Sequence, residues 1–237
     1  WHRRCIVRAR QELPKESGEI IVIDSGSEDG TQTYLREALK LGLIDTLSLL
    51  PENKGAGVSR NMGVKLATYD RVLLLDGDII MPRNWIKLAG EYLDAHPEHQ
   101  ALSIYPALCT QDEDSYTDSL NELREVRQSS TSCTNLGLYR KAYLTAVPFP
   151  EFGIFGEPGW GFEDTMQSHV GLAKGYLWAH CYDQKIAYLH PLNSSRKMLQ
   201  KLLGEEEANR RTKERQNIVM EMAQSGEVYD IAEMNKD

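Results

Sequence analysis

The sequence predicts an α/β fold, a mostly parallel sheet flanked by helices, on three observations. Short apolar runs alternate with amphipathic helical patterns from residue 1 to about 105, the βαβ rhythm that yields parallel strands. The run Arg71-Val-Leu-Leu-Leu75 is apolar at successive positions after its first residue, as a strand covered on both faces requires. It stops at Asp76-Gly77-Asp78, and ligands of such sheets bind just beyond the carboxyl ends of the strands. Two carboxylates held there suit a hard divalent cation carrying phosphate oxygens, with Gly77 letting backbone come close. Asp112-Glu113-Asp114 has the same spacing but follows no strand, and it reads as a solvated loop or helix start.

The elements follow in order. Cys5, Ile6, Ala9 and Leu13 share one helical face, and Ser17-Gly18 ends that pattern. Ile20-Ile-Val-Ile23 is a strand that runs into the turn formers Asp24-Ser-Gly-Ser-Glu-Asp-Gly-Thr31. A helix over 31–41 turns Tyr34, Leu35, Ala38 and Leu39 inward, and Gly42 stops it. Thr46-Leu-Ser-Leu-Leu50 is the next strand, and Pro51 to Gly57 open a helix that buries Val58, Met62 and Leu66. After the acidic strand end, Pro82 starts a helix with Trp85, Leu88, Ala89, Tyr92 and Leu93 inside. Ala101-Leu-Ser-Ile-Tyr105 completes the regular half.

The pattern then changes. A helix is expected around Tyr116, Leu120 and Leu123, and a strand over 133–138. Between Pro148 and Gly161, four glycines interleave with aromatics in a stretch too long and apolar for a plain connector, hence a binding loop or lid. Glu163-Asp164 open a helix with Met166, Val170 and Ala173 inside and Gly175 as its stop. Strands near 176–180 and 185–189 lead to His190-Pro191, and a charged helical tail from about 196 has Ile218, Val219 and Met222 as its apolar side. The expected organisation is 1–105, a regular βαβ half; 106–195, a second and less regular half; and 196–237, a helical extension.

At 237 residues the chain can bury one sizeable core, with or without a smaller subdomain. A formal charge of −8 argues against a broad nucleic-acid-binding face while permitting a local basic pocket. Cys5, Cys109, Cys133 and Cys181 lack metal or redox spacing and read as reduced thiols of a cytoplasmic protein. No apolar run reaches membrane-span length and no signal-peptide pattern opens the sequence. Because it starts at Trp1 without Met, membrane tethering or a lumenal setting stays open. The oligomeric state is not legible.

Four motifs in order resemble the family 2 glycosyltransferases of the GT-A fold. They are Asp24-Ser-Gly-Ser-Glu-Asp-Gly-Thr31; Asn53-Lys-Gly with Arg60-Asn-x-Gly63; Leu75-Asp-Gly-Asp78; and Trp160-Gly-Phe-Glu-Asp164. The last is similar to the Trp-Gly-x-Glu-Asp element of galactosyl- and N-acetylgalactosaminyl-transferring relatives, and the likeness spans about residues 1–190. The resemblance also implies a uracil-holding strand and turn ahead of residue 1, so a preceding segment is expected.

What the resemblance implies is a metal-dependent transfer from a nucleotide-diphosphate sugar, a UDP-sugar by preference, to a glycan or other hydroxyl-bearing acceptor. Asp24 would meet the base or ribose, and Arg60 and Lys54 would reach the nucleotide and its phosphates. Asp76 would touch the ribose, while Asp78 and His190 would ligate Mn2+ or Mg2+. Asp164 would be the general base, Glu163 would bind a sugar hydroxyl, and Trp160 would stack on a sugar face. A base on that face favours inversion. Helix-capping or first-turn roles compete for Asp24, Asp29, Glu163 and Asp164. A sugar-phosphate nucleotidyltransferase, which releases pyrophosphate, and a non-catalytic nucleotide-sugar-binding module are the competing functions.

Overall fold

A computed structural model describes residues 1–105, 108–112, 114–130, 134–158, 161–183, 188–191, 200–201, 203–227 and 229–236. The expected αβ alternation opens the chain: α1 (His2–Glu12), β1 (Ile21–Asp24), α2 (Thr31–Lys40), β2 (Thr46–Leu49), α3 (Ala56–Leu66), β3 (Arg71–Leu75), α4 (Trp85–Ala95) and β4 (His99–Ile104). There follow β5 (Cys109–Thr110), β6 (Val126–Ser129), β7 (Leu136–Arg140), α5 (Lys141–Ala146), a 3-10 turn (Gly153–Gly156), α6 (Glu163–Ala173), β8 (Leu177–Cys181), β9 (Tyr188–Leu189), and α7 (Glu205–Ser225).

The α/β class holds, with a mixed sheet. β1 and β2 pair in parallel, and a five-stranded sheet runs in the order β3-β7-β4-β8-β6. β4 and β8 are parallel, whereas β7 lies between β3 and β4 antiparallel to both. Between β4 and β7 the described residues hold the short strands β5 and β6 and no crossover helix, in keeping with the antiparallel pairing of β4 and β7.

β3 and β7 pack apolar residues on both faces. Leu74 faces one core while Leu73 and Leu75 pack against the other, and the successive Leu138 and Tyr139 of β7 divide in the same way. One core gathers Ile79, Met81, Trp85, Leu93, Leu102 and Leu136 under α4. The opposite core gathers Tyr139, Tyr143, Phe149, Phe155, Met166 and Trp178, with Val219 from α7. The tail therefore docks through the expected apolar positions, Ile218 and Met222 packing beside Val219.

Several local expectations are corrected. Leu39 and Leu66 are 39% and 43% exposed, and Ala173 is exposed as well. α3 buries Gly57, which a loop crosses closely, and Val64, while the expected Val58 and Met62 are half-buried. No helix forms around Tyr116–Leu123. That backbone is pinned extended along Arg83, whose N–H donates to Asp118 O at 2.7 Å and whose carbonyl accepts from Leu120 N at 3.1 Å. Arg8 adds to this by donating to Tyr116 Oη at 2.6 Å and Asp118 Oδ1 at 2.5 Å. The expected strand begins at Leu136, and β6, with its two exposed central polar residues, has no apolar pattern to betray it.

Candidate active site

Strand β3 carries Asp76 to the carboxyl end of the sheet. There Asp76 N–H donates to Asn135 O at 3.0 Å, and Ile79 N–H donates back to Asp76 O at 3.0 Å, closing a turn over Gly77. Ile80 then exchanges two hydrogen bonds with Leu189, of 2.9 and 3.2 Å. β9 pairs with β5, and His190 N–H donates to Thr110 O at 2.9 Å. These short ladders set the His190 ring beside the acidic turn, with Nε2 3.5 Å from Asp78 Oδ1. Two donors of these types, so spaced on separate elements, fit adjacent positions around one divalent cation of the Mn2+ kind.

A second acid pair meets the first through Arg60 of α3. Its Nη1 donates to Glu163 Oε1 at 2.6 Å and its Nη2 to Asp76 Oδ1 at 3.2 Å. The guanidinium lies over the Phe149 ring, 5.4 Å from the centroid. Desolvation works against the Arg60 charge, but Asp76, Glu163 and Asp164 outweigh it and hold its pKa above the ordinary value. Desolvation also raises Asp76, with Arg60 pulling back and Asp78 pushing further.

Glu163 and Asp164 begin α6 after two consecutive left-handed residues, Gly161 at φ 78° and Phe162 at φ 71°. For an aromatic residue that conformation costs about 1–2 kcal/mol, a strain that clusters at functional sites. It buries the Glu163 side chain, and Asp164 follows with Oδ1 accepting from Thr165 N–H at 2.8 Å. Desolvation, then the neighbouring Glu163, push the Asp164 carboxyl up to about 6, while Arg60 pulls it down.

Asp24 is buried at the end of β1. Its Oδ1 accepts from Ser27 N–H at 3.0 Å and from Gln32 Nε2 at 2.9 Å, so it shapes the turn before α2. Lys54 is not brought into the cluster: its ammonium is half exposed and pairs with Glu52. Trp160 lies outside the described residues. Asp112 accepts from Asp114 N–H at 3.0 Å in an exposed turn, as the solvated-loop reading has it.

The 148–161 stretch shows what sequence reasoning missed. Asn61, within the Arg60-Asn-x-Gly63 motif, donates to Phe149 O at 2.8 Å and Glu151 Oε1 at 2.7 Å and accepts from Phe149 N–H at 2.9 Å. A Cβ on Gly57 would lie 2.6 Å from Pro150 O, and one on Gly55, already at φ 86°, 2.6 Å from Phe155 O. Asn235 donates to Phe149 O at 2.9 Å and accepts from Glu151 N–H at 2.7 Å. The described part of this loop is therefore fastened over α3. Glycine and amide repeats in the motif were the available signal; Asn235 had none.

At the other end of the sheet, His96, Glu98 and His99 bring possible ligand atoms within 4.8 Å of one another. Those atoms already have partners, His96 Nδ1 with Glu98 at 3.1 Å and His99 Nδ1 with Tyr92 Oη at 3.0 Å.

The site is thus a carboxylate-rich cluster at the strand ends of a GT-A fold, joining an Asp-x-Asp turn, an imidazole and a helix-opening Glu-Asp pair. The chain belongs to glycosyl transferase family 2, whose sequence model matches residues 3–143. It is 26% identical over 155 residues to the glycosyltransferase AglE of Haloferax volcanii, covering 62% of this chain and 50% of AglE. It is 34% identical over 90 residues to the Staphylococcus aureus poly(ribitol-phosphate) beta-N-acetylglucosaminyltransferase TarS, covering 37% of this chain and 15% of TarS. The chain thus matches half or less of the length of these relatives.

Solved structures share the fold, two among them as follows. S. aureus TarS 1–349 superposes with a TM-score of 0.54 at 21% identity, over 85% of this chain and 60% of that one. GalNAc-T7 with UDP, GalNAc and Mn2+ gives 0.57 at 14% identity, over 77% and 39%. Among the described residues no helix is long and apolar enough to cross a membrane.

Proposed function

We propose that the chain transfers a sugar from a nucleotide-diphosphate sugar, a UDP-sugar by preference, to an acceptor hydroxyl with inversion. The observation that carries this reading is the Arg60 bridge, which joins the Asp76–Asp78 turn to the Glu163–Asp164 pair in one cluster. A donor site and a base are then within reach of the same bound sugar.

Asp78 and His190 would hold Mn2+ or Mg2+, which when bound neutralises charge on the departing diphosphate. Asp24 and Asp76 line the side assigned to base and ribose. Arg60 is committed to two carboxylates, so we assign it the task of holding Asp76 and Glu163 in place. To reach a phosphate it must give up Asp76, the longer of its contacts at 3.2 Å. Lys54 as a phosphate contact and Trp160 as a sugar platform rest on the resemblance alone. Glu163 orients the sugar hydroxyl, and Asp164 takes the acceptor proton as the oxygen attacks the anomeric carbon. The free thiols Cys5, Cys109 and Cys181 support a reducing, cytoplasmic setting.

The test is a panel of nucleotide-sugars with Mn2+ or Mg2+, scored for hydrolysis without acceptor and then for transfer. Release of a nucleoside diphosphate from a preferred donor is expected. Pyrophosphate release would instead identify a nucleotidyltransferase, and inert donors together with absent UDP binding would overturn the enzyme reading.

A further inference from the structure

Glu163 is held by one arginine that the motifs include and faces another that they do not. Its Oε1 accepts from Arg60, while its Oε2 is buried without a hydrogen-bond partner, 4.0 Å from Arg215 Nη1. Arg215 sits on α7, is 1% exposed, and lies in the charged C-terminal extension beyond the matched family region. Desolvation lowers its pKa and the Glu163 charge counters it. A guanidinium is buried at this cost only where partners compensate.

The partners all belong to the approach to α6. Arg215 Nη2 donates to Ile154 O and Glu157 O, both at 2.9 Å, and Nη1 to Gly161 O at 3.4 Å. Its guanidinium lies 5.3 Å from the Phe155 ring centroid. One turn earlier, Arg211 donates to Pro158 O at 3.1 Å and pairs with Glu157 at 2.8 Å. The carbonyl of Gly161 immediately precedes left-handed Phe162, so Arg215 grips the backbone where α6 is aimed.

We propose that Arg215 is a positioning residue for the Glu163–Asp164 pair: it fixes the entry into α6 by three carbonyls and opposes Arg60 across Glu163. The C-terminal helix is then part of the active unit and not an appendage. This rests on Asp164 being the base. A lysine keeps the charge but presents one nitrogen, which cannot span carbonyls on three residues as the planar fork does.

The experiment compares Arg215→Lys and Arg215→Met, both checked for folding by circular dichroism, with the donor that the nucleotide-sugar panel selects. Arg215→Met should lower kcat by about 10–100-fold, as misplacement of a reacting group does, and Arg215→Lys should recover part of it. UDP affinity with Mn2+, read by calorimetry, should stay within about threefold, because the carbonyl grip orients the base and not the donor. Should the Met variant fail to fold, the Lys variant alone decides, with a lowered kcat and unchanged UDP affinity expected. Wild-type kcat in folded Arg215→Lys, or parallel losses of kcat and UDP affinity, would overturn the proposal. Asp164→Asn separates the two claims. If it transfers at the wild-type rate, the base assignment itself is wrong. If it is inactive while Arg215→Lys is unimpaired, only the positioning role is lost.

Discussion

His190 Nε2 and Asp78 Oδ1 lie 3.5 Å apart, brought together by the Ile80–Leu189 bridge and not by nearness in the chain. If both ligate the cation, Asp78→Ala should abolish activity at ordinary metal concentrations without unfolding the protein. His190→Ala should raise the Mn2+ needed for half-maximal activity by at least about tenfold, since even residues that only support ligands matter this much. Metal titrations of activity, with thermal melts as the folding control, check both. Near-wild-type turnover in Asp78→Ala would remove the metal assignment.

Asp164→Asn keeps size and hydrogen bonding but cannot accept a proton, so transfer should fall by roughly 10²–10⁴-fold. Calorimetry with UDP should show donor affinity nearly unmoved. The reverse pattern, weak UDP binding with preserved turnover, would place Asp164 in the donor site.

The raised Asp164 carboxyl sets a direction for pH. With its carboxyl pushed up to about 6 by burial, above the ordinary aspartate range, the base is charged only at higher pH, so activity should climb as pH rises through about 6. Stability runs the other way. A folded pKa above the unfolded one contributes stability that is complete below the unfolded value and lost as pH rises through the folded value. Asp164→Asn should therefore raise the melting temperature relative to wild type more at pH 8 than at pH 5. An equal difference at the two pH values would contradict the raised pKa.

Gly57→Ala places a Cβ 2.6 Å from Pro150 O, and the loop backbone must move. A loss of about 1–3 kcal/mol in urea unfolding is expected, typical of an overpacked contact. Activity should fall with it, because that loop supports Phe149 beneath Arg60. A neutral Gly57→Ala would show the loop free to shift.

How much was legible follows from how far each signal reaches along the chain. Strands β1 to β4 and the intervening helices declare themselves by local periodicity, and Asp76 and Asp78 by standing after a doubly buried strand. Glu163 and Asp164 are legible because the glycine-rich run before them is local too. Tyr116–Leu123 is not: its residues have helical spacing, yet Arg83 and Arg8, distant in sequence, supply better partners in extended form. Leu66 likewise has the spacing of a helical core position, yet it ends α3 43% exposed.

The chain by itself determined its α/β class, its acidic strand end and its family motifs, because apolar spacing and turn chemistry act over a few residues. The family resemblance also put His190 beside Asp78, but only the tertiary structure decided that Arg60 joins the two acid pairs and that Arg215 turns inward from a helix rich in charge. On a sequence, an arginine among glutamates and lysines looks like any solvated charge. Its burial depends on which distant carbonyls the fold leaves in need of a donor, and no local pattern encodes that.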